Sequence, residues 1–130
     1  MLKKLKAIMA TDYYHISLST DVVGIESAVA LKNGYALGIA LTIGLNQKEF
    51  GLDSELHYNS QAAVFGQAVR EMRKLLILQG AEDFNNLVLG AGDLYVTVYG
   101  GRTRLVGILL GCVVGISGLE LPGTVYEISK

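Results

Sequence analysis

The sequence predicts one α/β domain: a five-stranded, mostly antiparallel sheet sandwiched by helices, in the order α-β-β-α-β-β-β with room for a terminal helix. Three observations carry that expectation. Two apolar runs flank Asn33-Gly34 in "GIESAVALKNGYALGIALTI", and Asn-Gly is the strongest short hairpin signal because both residues accept the positive φ of a type I′ turn. In "LYVTVY", Leu94, Val96 and Val98 alternate with Tyr95, Thr97 and Tyr99 at strand period. Only one long stretch, roughly 59–79, shows the helical period clearly.

The elements follow in chain order. Leu2, Leu5 and Met9 lie at helical spacing opposite Lys3, Lys4 and Lys6, predicting a short amphipathic first helix. Residues 11–21 either extend that helix or form a loop. Strands are expected near 25–31 and 35–43, followed by the polar connection "GLNQKEFGLDSEL" and the main helix. Gly80 stands at a natural C-cap position. Three more strands are expected at 86–90, 94–100 and 104–112, separated by the turn-length inserts "AGD" and "GRT". "RLVGILLGCVV" does not alternate, as in a central strand covered on both faces. In the tail, Pro122 either begins a last short helix or prevents one.

Bulk numbers narrow the function classes. At 130 residues the chain has the size of a single domain with its own core. Its 11 basic and 12 acidic side chains nearly balance, so nothing electrostatic points to nucleic acid or an anionic membrane. Cys112 is the single cysteine and forms no internal disulfide, which favours a reducing, cytoplasmic setting. "MLKKLKAIMA" starts like a signal peptide, but its apolar core ends at Asp12, so export is not expected. The uncharged run from Leu105 to Leu119 falls short of the about 20 residues of a bilayer span, so membrane insertion is not expected either.

The main helix carries the partner argument. Ala62, Phe65, Val69, Met72 and Leu76 form one stripe, and Val64, Ala68 and Leu75 widen it to about 160°, where ~100° suffices to face one core. Gln67, Arg70, Glu71 and Lys74 fill the remaining side. A second buried neighbour is therefore expected. It is either the same helix of another copy or the first or last helix of the same chain. For a homodimer, Ala62, Phe65, Gly66, Val69 and Met72 would form the contact, together with Leu87 and Leu89 of the strand at 86–90. Gly66 would let the two backbones come close.

Element order and residues together resemble the roadblock-type dynein light chain family, including its bacterial and archaeal members. "VVGIESAVALKNGYALGIAL" is similar to that family's opening hairpin, "SQAAVFGQAVREMRKLLILQG" to its central helix, and "FNNLVLGAGDLYVTVYGGRTRLVGILL" to its three-strand meander. Pro122-Gly123 departs from the pattern where the family carries its last helix. The resemblance implies a profilin-like sheet between helices, a homodimer, and a scaffold or regulator of small Ras-like GTPases without chemistry of its own.

No catalytic constellation stands out. His15 and His57 lie apart, with no Cys or His at metal-ligand spacing. Cys112 sits among apolar neighbours, as an inert thiol does. "GAGDLY" lacks the third glycine of a dinucleotide fingerprint, and no P-loop occurs. No catalytic residue, metal or cofactor is expected. Arg70, Arg73 and Lys74 either meet an acidic partner or form a solvated face. Arg102, with Arg104 beside "GG", either approaches a nucleotide as an arginine finger does or tips a hairpin. Tyr95 and Tyr99 either form a binding surface or lie beneath the first helix. The preferred reading is a non-enzymatic homodimeric interaction module. The alternative is a small-molecule sensor domain of similar architecture.

Overall fold

Asp21 opens the longest element. Its side chain accepts a hydrogen bond from the Gly24 N–H at 2.9 Å, capping a helix where a strand is expected. The structure, a computed structural model, describes residues 1–82 and 85–114. It consists of α1 (Leu2–Met9), α2 (Val22–Phe50), α3 (Tyr58–Leu78), α4 (Asn85–Gly100) and α5 (Arg102–Val113), with no strand among the described residues. The five-stranded sheet is therefore corrected to a helical bundle. Strands 25–31 and 35–43 merge into α2, 86–90 and 94–100 into α4, and 104–112 becomes α5. The tail around Pro122 lies outside the described residues.

Why α2 is a helix is visible in what it buries. Gly24, Ala28, Ala36, Ile39, Ala40, Ile43 and Gly44 are buried, a set at three- and four-residue spacing. The helix lies at the centre of the bundle, with α3, α4 and α5 all packed against it. A helix enclosed on several sides is apolar nearly all round, so its sequence loses the amphipathic period. Asn33 and Gly34 are exposed in mid-helix, and a Cβ on Gly34 would meet nothing within 4 Å, so no turn forms there. By length and composition α2 could cross a bilayer, as could the bent α4–α5 pair, but core helices of soluble proteins pass the same test.

The α2–α5 contact is made by glycines. A Cβ on Gly107 would lie 2.6 Å from the Leu37 carbonyl oxygen, one on Gly111 would run into the Leu41 carbonyl, and one on Gly44 into that of Ile108. Backbones meet where side chains usually stand. The α4 contact pairs Gly90 with Ala28 and Met72. In α4 the buried residues Leu87, Gly90, Leu94 and Val98 follow a helical period. Leu94 and Val98 satisfy strand alternation equally well, but Val96, which should share their face in a strand, is 65% exposed.

The expected main helix is present as α3, which buries Ala68, Met72 and Leu76. Ile39, Met72 and Leu94 are the largest fully buried side chains, each stabilising the fold by about 1.5–3 kcal/mol. Gly80 adopts φ 83° at the end of α3, as its C-cap role requires. The short amphipathic first helix is also present, but none of its residues is buried.

Candidate functional site

Within these apolar surfaces, one ion pair joins two helices. Lys32 comes from the middle of α2 and Asp93 from α4, and Nζ lies 2.5 Å from Oδ2. It is the one ion pair among the described residues. The side chains are 20% and 31% exposed, so the pair is shielded yet open to a small molecule. The close approach of Gly90 to Ala28 sets this up, because about one turn further along both helices Asp93 meets Lys32.

The starts of α2 and α4 are tied by Asp21. Its Oδ1 caps α2, while Oδ2 accepts from the Asn86 side-chain amide and from the Glu82 N–H, both at 2.8 Å. A carboxylate with three donors makes strong, directional bonds, and these fix the two helices that carry the pair.

Beyond Asp93 the chain turns sharply. The Thr97 hydroxyl donates to the Asp93 carbonyl at 2.7 Å, and the Gly101 N–H donates to the Thr97 carbonyl at 3.0 Å. A Cβ on Gly101 would stand 2.7 Å from that carbonyl, so the 64° bend between α4 and α5 has little room for a side chain there. α5 then opens with Gly101 as N-cap, no side-chain cap and no acidic residue in its first turn. Arg102 and Arg104 stand in that turn, and Arg104 Nε is buried without a hydrogen-bond partner among the described residues. Because Gly107 meets Leu37 and Gly111 meets Leu41, α5 runs in the same direction as α2. Its first turn therefore falls alongside about Asn33–Ala36, next to Lys32. A helix N-terminus bearing arginines suits an anion; an ammonium one turn away suits proton transfer.

The residues singled out from sequence are dispersed. Arg70, Arg73 and Lys74 are exposed on α3, in no ion pair among the described residues. Arg102 alone of that group lies near the pair. Met72 and Leu87 belong to this chain's own core. Phe65 and Val69 pack against that core, while Ala62, Gly66 and Leu89 are exposed. A Cβ on Gly66 would meet nothing within 4 Å. Within this chain, backbones come close between α2 and α5.

Sequence reading misses Lys32 and Asp93 because one adjoins the hairpin signal Asn33-Gly34 and the other falls in the turn-length insert "AGD". A signal was present. Lys32 is the one charged residue between Glu26 and Lys48, and Asp93 the one between Asp83 and Arg102. Two lone charges of opposite sign, each inside a long apolar run, are expensive to bury except together.

Elsewhere, burial raises the phenol of Tyr35 on α2 above the ordinary value, and the nearby Glu71 carboxylate of α3 adds to this. No group of three or more His, Cys, Asp and Glu able to hold a metal occurs among the described residues. The segment "GAGDLY" lies inside α4 rather than between a strand and a helix. The described residues therefore do not form a dinucleotide phosphate cradle.

Comparison with known proteins gives a consistent result. Residues 21–123 match the family described as NAD-dependent glycerol-3-phosphate dehydrogenase C-terminus. The chain is 32% identical over 128 residues to the NADP(+)-dependent glycerol-3-phosphate dehydrogenase of Archaeoglobus fulgidus, covering 98% of this chain and 36% of that protein. It is 36% identical over 112 residues to the glycerol-3-phosphate dehydrogenase [NAD(P)+] of Syntrophobacter fumaroxidans, covering 84% of this chain and 30% of that protein. Against the chloroplastic glycerol-3-phosphate dehydrogenase [NAD(+)] 2 of Arabidopsis thaliana it is 36% identical over 107 residues, 80% of this chain and 23% of that protein. The chain thus spans about a third or less of the length of these relatives. No solved structure matches.

These matches overturn the roadblock resemblance, with the profilin-like sheet and the GTPase role that it implied. The small-GTPase partner, the non-enzymatic scaffold and the sensor alternative give way to a domain of an enzyme family. The resemblance rested on an order of strands and helices, and those strands are helical.

Proposed function

This chain belongs to the NAD-dependent glycerol-3-phosphate dehydrogenase C-terminal family, and from that premise we propose that it supplies the substrate-binding and proton-transferring side of a dehydrogenase acting on glycerol 3-phosphate. The observation that carries the reading is the half-open Lys32–Asp93 pair beside the arginine-bearing start of α5.

The chemistry follows from the atoms present. Interconverting a secondary alcohol and a ketone moves a hydride at carbon and a proton at oxygen. A nicotinamide, held outside the described residues, would exchange the hydride. In the reducing direction the Lys32 ammonium donates its proton to the substrate oxygen; in the oxidising direction Nζ takes the hydroxyl proton. Asp93 holds Lys32 in one orientation and keeps a counter-charge beside it. The first turn of α5, with Arg102 and Arg104, receives the phosphate group. A soluble state is consistent with this family, and we place the chain in the cytoplasm.

The test is a chimera in which residues 1–130 replace the matching region of the Archaeoglobus fulgidus enzyme. It should reduce NADP+ with glycerol 3-phosphate and prefer it to glycerol by at least about 100-fold, a discrimination of the size that unpaired charged groups impose. Arg102→Ala should erode that preference. A folded chimera that never distinguishes the phosphorylated substrate would refute the proposal.

A further inference from the structure

The first twenty residues are built unlike the rest of the chain. α1 carries Leu2, Leu5, Ile8 and Met9 on one side and Lys3, Lys4 and Lys6 on the other, yet all four apolar residues are exposed, Ile8 at 79%. A helix of 8 residues with its apolar face in water gains nothing from that face. The chain then turns, with the Thr11 hydroxyl accepting from the Tyr14 N–H at 3.0 Å. It comes back beside the helix, so that Leu18, Ser19 and Thr20 line an open groove with Leu2 and Lys3.

Residues 15–19 form neither helix nor turn, and none of their backbone N–H or C=O groups bonds to a described residue. In "YHISLS", Tyr14, Ile16 and Leu18 alternate with His15, Ser17 and Ser19, the period of a strand covered on one face. Unpaired backbone with that alternation is a template onto which another strand pairs. The described residues contain no strand to supply it.

The extents of the matches point to what does. The family region begins at residue 21, but the alignment with the Archaeoglobus fulgidus enzyme takes in 98% of the chain and so includes nearly all of residues 1–20. Those residues therefore match that enzyme outside the C-terminal family region. A helix followed by a strand is the repeating unit of the open α/β sheets that hold dinucleotides, and the described residues form no dinucleotide cradle of their own.

We propose that α1 and residues 14–19 are a docking unit for the dinucleotide-binding α/β domain of the dehydrogenase. Residues 14–19 add a strand to an edge of its sheet, and the apolar face of α1 lies on that sheet. The identity of the domain rests on the dehydrogenase reading; the strand addition rests on the unpaired backbone and the uncovered helix. Residue 20 leads directly into the Asp21 cap of α2, so docking here also sets where Lys32 stands relative to the nicotinamide.

The test compares hydrogen exchange in the 130-residue chain and in the chimeric dehydrogenase. Alternate amides of residues 15–19 should exchange at least about 100-fold more slowly in the chimera, where a ladder replaces water. Of Ile16→Pro and Ser17→Pro, the one that removes a paired N–H should lower the chimera's unfolding midpoint by about 5 °C and leave that of the 130-residue chain unchanged. Ile8→Lys, which charges the docking face of α1, should likewise lower only the chimera's midpoint. Equal exchange in the two proteins overturns the proposal, as does a chimera that folds only when residues 1–20 are replaced by the archaeal sequence. So does slowed exchange in the 130-residue chain as its concentration rises, which would mean that a second copy supplies the strand. None of these measurements needs turnover: protected amides in a chimera that ignores glycerol 3-phosphate would sustain the docking and refute the substrate assignment.

Discussion

α2 meets α5 and α4 on opposite terms. Against α5 it offers backbone, with Gly44, Gly107 and Gly111 letting the two main chains come close. Against α4 it offers Gly90 over Ala28 and then, a turn later, the Lys32–Asp93 pair. The first contact is explained entirely by packing. The second is not, because two apolar residues of similar volume would join the helices at no desolvation cost. A half-open ion pair in a helix interface makes sense where chemistry requires it.

Breaking each contact should separate the two roles. Gly111→Leu places a side chain into the Leu41 carbonyl and should cost about 3 kcal/mol, read as a lower urea midpoint. A midpoint unchanged by that substitution would mean the helices are not this close. Lys32→Met leaves Asp93 without its cation and should cost about 1–3 kcal/mol, kept modest because both groups are partly exposed. Adding Asp93→Leu to Lys32→Met should recover most of that loss while leaving the domain without the proton donor proposed above. If the double variant is no more stable than the single one, the pair is not the energetic burden described here.

Two smaller effects sharpen the picture on the α3 side. Tyr35→Phe removes the hydroxyl beside the Glu71 carboxylate and should change stability by no more than about 0.5 kcal/mol near neutral pH. The Tyr35 phenol is raised above its ordinary 10.0, so the folded state favours its protonated form. That contribution is fully present below pH 10.0 and is lost as pH rises through the raised folded value. The parent should therefore show an alkaline loss of stability that Tyr35→Phe lacks, measured by denaturant midpoints across that range. Gly66→Ala should raise stability by about 0.5–1 kcal/mol, since its Cβ enters open space on a helix. A loss would show that Gly66 has a neighbour after all.

The same contrast explains what could be read from the residues. α3 was legible because it is buried mainly on one face and exposed on the other, so Ala68, Met72 and Leu76 stand out against Arg70, Arg73 and Lys74. α2 was not, because three helices surround it and its polar positions are too few to mark a face. In α4, Leu94 and Val98 fit both periods, and Val96 turned the choice toward a strand although it is exposed. Asn33-Gly34 supplied a hairpin signal in a helix whose tertiary packing outweighs local preference. Lys32 and Asp93 stand 61 residues apart, and their meeting depends on the α2–α4 register, which no local pattern reports. Arg102 stands out in the sequence, but as an arginine finger or a hairpin tip rather than in the phosphate-binding role proposed above.

The most direct measurement is turnover by the chimeric dehydrogenase carrying Lys32→Arg. Arginine keeps the positive charge and can keep the pairing with Asp93, but it does not release its proton in a protein. Turnover with glycerol 3-phosphate should fall about a thousandfold, within the range for loss of a general acid–base group, while the unfolding midpoint stays near that of the parent. Turnover within threefold of the parent would contradict the assignment of Lys32 as the proton-transferring group.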